Sequence, residues 1–369
     1  MIEHGVRVAV AAVVLGASVI PAKALAAPGK PLKPVWTTRL PASSDFMAIV
    51  APDKKNVWAF GGNNANSPRD RPLVYRKSGA EWKPVELPRG LGGYILKASA
   101  SSADNVWAMG EDPHSPRSTT FLLRWDGKRW RVAKRWERQQ HASIVATGKR
   151  GVWVFDEERA RALRFDGRRW RQVKTPVAVV GAAAQGEKLW AWGHDKDYRS
   201  KIVRFDGRRW KTAHPGSLLP EPAKQSITYF DRPVISGKNV WVTGVHIHDF
   251  QDDTQSREPL LLRYKNGKWR KEKIAPSAGI ARDPRSDGRG GLVFLTYKNV
   301  PGRGNDLVHD LFLTRLTAEG RWSQRRQGRI VNERPWISDY ARLPGTLRLL
   351  VVGYVERKNG SDAAVFSLS

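Results

Sequence analysis

The chain of 369 residues contains no cysteine. That excludes disulfides, iron–sulfur clusters, thiolate zinc sites and a cysteine nucleophile. Acidic residues are scarce: 35 Asp and Glu stand against 64 Lys and Arg, a formal net charge of +29. There is no Gly-x-Ser-x-Gly elbow, His-Glu-x-x-His pair, Walker loop or Gly-x-Gly-x-x-Gly turn, so the common hydrolase, metalloprotease and nucleotide signatures are missing. Neither a cofactor nor a metal is assigned. Beyond the first 26 residues no apolar run is long enough to cross a membrane. What is abundant is tryptophan, 16 residues in a chain that is 40% hydrophobic, too apolar to stay disordered.

Residues 1–26 read as a secretory signal. Arg7 precedes an apolar or small stretch from Val8 to Ile20, Pro21 ends it, and Ala24-Leu25-Ala26 is a small-x-small cleavage pattern. A short linker, 27–33, follows. The expectation is an exported protein, extracellular or held at the cell wall, with +28 over the remaining 343 residues.

The remainder is repetitive. Asn56-Val57-Trp58-Ala59-Phe60-Gly61 returns as Asn105 to Gly110, Gly151 to Phe155, Lys188 to Gly193 and Asn239 to Gly244. A second motif, Arg164-Phe165-Asp166-Gly167-Arg168-Arg169-Trp170, recurs at Arg124 to Trp130 and Arg204 to Trp210, with looser copies ending at Trp82, Trp269 and Trp322. Asp-Gly or Asn-Gly between apolar runs predicts a hairpin with a type I′ turn. The Val-Trp-Ala-x-Gly run is another short strand, and each is preceded by small residues such as Gly181-Ala182-Ala183-Ala184. Each repeat therefore holds four strands, A to D. Repeats of this length with four strands predict an all-β fold, a β-propeller, with the small A-strand residues at the crowded axis and the tryptophans wedged between blades.

Six D-strand tryptophans count six blades: Trp82, Trp130, Trp170, Trp210, Trp269 and Trp322. The C-terminal segment supplies three strands of a seventh, and Pro34 to Pro41 resembles a D strand. The prediction is one seven-bladed propeller over 34–369, four antiparallel strands per blade, the last blade closed by the N-terminal strand. The pair of motifs resembles the tandem propeller repeats of secreted actinomycete proteins, over about 35–369. That resemblance implies the fold and says little of activity.

In such blades the A–B and C–D turns share one end, and the B–C loops and D–A links share the other. The B–C loops vary in length here, and function tends to reside on variable loops. The candidate ligand face collects His114, Trp136, His194, Asp195, Tyr198, His246, His248 and Asp249. His246 and His248 are two apart, so a strand points both to one side. With His194 they form a possible metal or acid–base set; solvated loop residues are the plainer reading. Trp136, placed in a link, is a candidate sugar-stacking residue, whereas Trp336 is expected to pack beneath its own loop.

The second candidate is electrostatic. Arg129, Arg131, Arg168, Arg169, Arg171, Arg208, Arg209, Lys211, Lys268 and Arg270 recur with the D strand and predict a basic rim. Such residues protect an edge strand from pairing. They also suit an anionic polymer, such as teichoic acid or an acidic polysaccharide. The sequence therefore reads as a monomeric, non-catalytic binding or scaffold propeller that takes an anionic polymer or a protein partner. It has no recognition helix for sequence-specific nucleic acid and no transmembrane segment. The alternative is a propeller enzyme, a polysaccharide lyase or glycoside hydrolase, with its site on the B–C loop face.

Overall fold

The computed structural model describes residues 30–40, 42–63, 70–138, 142–220, 226–248, 256–275, 283–300, 308–332 and 334–369. The expected signal segment and Asp249 lie outside them. The architecture is the predicted one: seven antiparallel sheets, each of four strands in A-B-C-D order. Blade 3 is typical, with A at Ala142–Thr147, B at Gly151–Asp156, C at Arg161–Phe165 and D at Trp170–Lys174. Blade 5 differs because its A strand is split into Ile227–Phe230 and Val234–Ser236, both paired with B. In blade 7, strand D is Trp36–Thr37, which pairs with the C-terminal strand Gly360–Leu368 through Trp36 opposite Val365. The ring is thus closed by its first strand, which leaves no open seam. Among the described residues the only helical element is a 3-10 turn, Gly216–Leu218.

The core is divided like the sequence. Seven apolar clusters form, one at each junction between adjacent blades. The B-strand tryptophans Trp58, Trp107, Trp153 and Trp241 are fully buried. Three of them meet the D-strand tryptophan of the next blade nearly edge to face: Trp58 with Trp130 at 5.5 Å, Trp107 with Trp170 at 6.1 Å, and Trp153 with Trp210 at 5.7 Å. That geometry sets the positive ring edge on the negative ring face. Trp36 departs from the pattern. It faces Phe46, Tyr75 and Trp82 of blade 1 rather than blade 6, so both sides of the closing seam are aromatic.

The motif arginine has a structural task. Strand register sets Arg76, Arg124, Arg164 and Arg263 opposite the B-strand tryptophan of the same blade. Their guanidinium carbons lie 5.0 to 5.4 Å from those ring centroids. Arg124 and Arg164 also lie over Phe165 and Phe205 of the following blade. Each such contact contributes about 0.5–2 kcal/mol, more as it is desolvated.

The motif glycine has one too. In blades 1, 2, 4 and 7 the pairing of strands A and B shifts register beside Gly61, Gly110, Gly193 and Gly353. A Cβ on Gly61, Gly193 or Gly353 would stand 1.9 Å from an A-strand carbonyl oxygen, so glycine permits the bulge. Blade 3 has Asp156 in place of that glycine, and its A strand pairs without a shift.

The expected type I′ turn holds for Asn266-Gly267, where both residues have positive φ and two residues join the strands. It does not hold for Asp-Gly. There Phe165 pairs with Trp170, so the connection is four residues long, and only the glycine has positive φ. Asp166 instead accepts the amides of Arg168 and Arg169 at 2.9 and 3.0 Å, and Asp126 and Asp206 do the same in their turns. An Asx-type turn satisfies amides that a two-residue loop would not expose.

Candidate functional site

The loop face brings part of the predicted set together. His246 and His248 end strand B of blade 5, and their rings meet at 4.4 Å. His246 is buried, with Nδ1 2.8 Å from Thr228 Oγ1. Burial, then the neighbouring His248, holds its pKa below the usual imidazole value. His194 ends strand B of blade 4, edge-on to Trp192 at 5.2 Å, and burial lowers its pKa as well. Asp195 caps its own loop, accepting amides from Asp197 and Arg199 at 3.0 Å. Among the described residues no three His, Asp or Glu side chains gather as a metal would need, so His194 does not complete the pair into a triad. His114 is exposed in the blade 2 turn, its amide on Asp112.

Both unassigned tryptophans sit otherwise than expected. Trp136 is the last residue of strand D in blade 2, opposite Thr120, and is not in a link. Trp336 is not packed beneath its loop: it opens strand A of blade 7, is 43% exposed, and stacks on Tyr354 at 6.2 Å. Tyr198, Tyr229 and Tyr297 are also exposed. Strand direction places these four aromatics on the loop face, one on each of blades 4 to 7. Only Tyr198 was legible as a surface residue, because it lies in a polar loop. Tyr229 and Tyr297 sit within strands whose alternation does not separate core from surface.

A carboxylate pair also escaped the sequence. Asp70, just before the blade 1 C strand, is 1% exposed, and among the described residues neither carboxylate oxygen has a side-chain hydrogen-bond partner. Burial, then the charge of Asp45, pushes its pKa up to about 6. The two aspartates are 25 residues apart and belong to neither motif, so nothing local marks them.

Most of the repeating cations are at the surface. Arg129, Arg131, Arg168, Arg169, Arg171, Arg208, Arg209, Lys268 and Arg270 are exposed, while Lys211 is half-buried. The turn aspartates draw in the residue five places on: Arg131 Nε lies 2.8 Å from Asp126, and Lys211 Nζ 2.8 Å from Asp206. Arg129, Arg168, Arg208 and Arg209 have no carboxylate within ion-pair distance among the described residues. Arg169 reaches Asp166 only at 3.9 Å. Along the axis, a cavity of about 390 Å³ is lined by small A-strand residues, including Ser99, Ala146 and Ala183, with Arg232 at one side.

No protein-family model matches the chain, and no curated protein matches it in sequence. Solved structures do match in shape. The polysaccharide lyase Uly1 superposes with a TM-score of 0.57 at 10% identity, covering 90% of this chain and 91% of its own. A PL25 ulvan lyase gives 0.51 at 10% identity, over 90% and 95%. The GH74 xyloglucanase of Xanthomonas campestris gives 0.52 at 13% identity, over 89% of this chain and 54% of that enzyme. At these identities the likeness is one of fold: the chain is a seven-bladed propeller.

Proposed function

We propose that this propeller is a binding module for anionic polymers of the cell envelope, working outside the cell after removal of residues 1–26, and that its contact is the rim of blades 2 to 4. One observation carries the reading. The same turn on three successive blades presents exposed cations, Arg129, then Arg168 and Arg169, then Arg208 and Arg209, while the one nearby carboxylate of each turn is engaged by backbone amides. Edge protection does not account for these residues, because they lie in the turns and not along the hydrogen-bonding edge of strand D. A row of cations matches a linear polyanion, with affinity set by charge and not by monomer identity. Burial of His246 against Thr228 makes it a support for its loop rather than an accessible acid or base.

The test is a titration of the full chain with wall teichoic acid and with long-chain polyphosphate at increasing salt. Binding to both, weakened steeply by salt, is expected. Binding that is indifferent to salt would overturn the reading.

A further inference from the structure

The junction of blades 2 and 3 contains a cavity of about 230 Å³, smaller than the ~300–1,000 Å³ typical of drug-sized ligands and suited to one ring. Trp136, Val154 and Leu163 give it apolar walls; Asp156, Arg161 and Gln172 give it polar groups. Trp136 is only half-buried, and Lys134 Nζ lies 5.8 Å from its ring centroid. Asp156 is spent on structure. Its Oδ1 accepts the amides of Glu158 and Arg159, and its Oδ2 accepts Arg161 Nε at 2.8 Å. That bond fixes the guanidinium by Nε and leaves the Nη groups without a partner among the described residues. Gln172 stands opposite Leu163 on strand D, exposed, its side-chain amide likewise without a hydrogen bond among the described residues.

We infer that this cavity seats a single uronic acid residue of an acidic polysaccharide. A pyranose ring offers an apolar face to indole and hydroxyls to a side-chain amide. Its carboxylate matches an oriented guanidinium with Lys134 nearby, since paired N–H donors favour a planar carboxylate. A neutral sugar would leave the Arg161 Nη groups and Lys134 without an anionic partner from the ligand, and a bare polyphosphate would make no use of the indole. Gln172 follows Arg171, a cation of the rim, along strand D of blade 3. The inference rests on the polyanion reading and narrows it to one polymer class.

The test uses the full chain, with an oligogalacturonate, its carboxyl-reduced counterpart and polyphosphate as probes in calorimetric titrations. The wild type should prefer the oligogalacturonate to the reduced form by about tenfold. Trp136→Ala should weaken oligogalacturonate binding by about tenfold and leave polyphosphate binding within about twofold. Trp136→Phe, which preserves packing, should fall between. Arg161→Gln should cut that preference severalfold, leaving the part that the rim cations supply. If Trp136→Ala and Arg161→Gln bind oligogalacturonate as the wild type does, the pocket assignment is wrong. If polyphosphate does not bind the wild type, the rim reading fails, and the oligogalacturonate series then judges the pocket by itself.

Discussion

Salt dependence gives the sharpest test of the rim. Six exposed cations occupy the three turns: Lys128, Arg129, Arg168, Arg169, Arg208 and Arg209. Each contact with a single-stranded polyanion releases about 0.7 counterion, so six contacts predict a slope of log K against log salt near −4. Raising salt fourfold, from about 50 to 200 mM, should then cost roughly 300-fold in affinity. The double substitution Arg168→Gln with Arg169→Gln removes two contacts and should bring the slope to about −3. Replacing the arginines of all three turns should nearly abolish binding. Such exposed substitutions change stability by less than about 0.5 kcal/mol, so a thermal melt serves as the folding control. The assay is fluorescence anisotropy of labelled polyphosphate over a salt series. A wild-type slope shallower than about −1, or an unchanged slope in the double variant, would refute the argument that these turns hold the polymer.

Three further outcomes follow from the core. Trp153 and Trp241 are equally buried and carry arginines at 5.1 and 5.2 Å, but only Trp241 donates its indole N–H across the junction, to Gly290 O at 2.9 Å. Trp241→Phe should therefore destabilise by about 1 kcal/mol more than Trp153→Phe in urea unfolding; the reverse order contradicts the assignment. Asp70 has a folded pKa raised to about 6, so its contribution to stability is greatest at acid pH and is lost as pH rises from about 4 through 6. Asp70→Asn should raise the melting temperature above pH 7 and flatten its fall across that window, and no gain at pH 7.5 would show that the carboxylate is not destabilising. Trp36→Ala should lower the urea midpoint by opening the seam with Tyr75 and Trp82, whereas Val35→Ala, at an exposed position, should leave it unchanged. Equal effects would mean that the N-terminal strand does not clasp the ring through its tryptophan.

The closure of the ring shows how far local pattern reaches. Pro34 to Pro41 resembles a D strand in composition, and the structure pairs Trp36 with Val365 as that reading requires. Which neighbour Trp36 faces was not legible, because a shift of one residue in register turns a strand's side chains to the other side. The Asp-Gly turns teach the same lesson. Their composition allowed a two-residue hairpin, but the Phe165–Trp170 pairing fixes four.

The sequence by itself determined the number of blades, their strand order and the role of most tryptophans, since each repeat reports the same burial many times over. It also set the exposed cations of the Asp-Gly turns at one place in that repeat. The sites lay beyond it. The Asp45–Asp70 pair, the exposed aromatics of blades 4 to 7 and the Trp136 cavity each join residues from different strands or blades and appear once. Tertiary structure alone decides these, for a ligand reads proximity in space, whereas periodicity records only what every blade has in common.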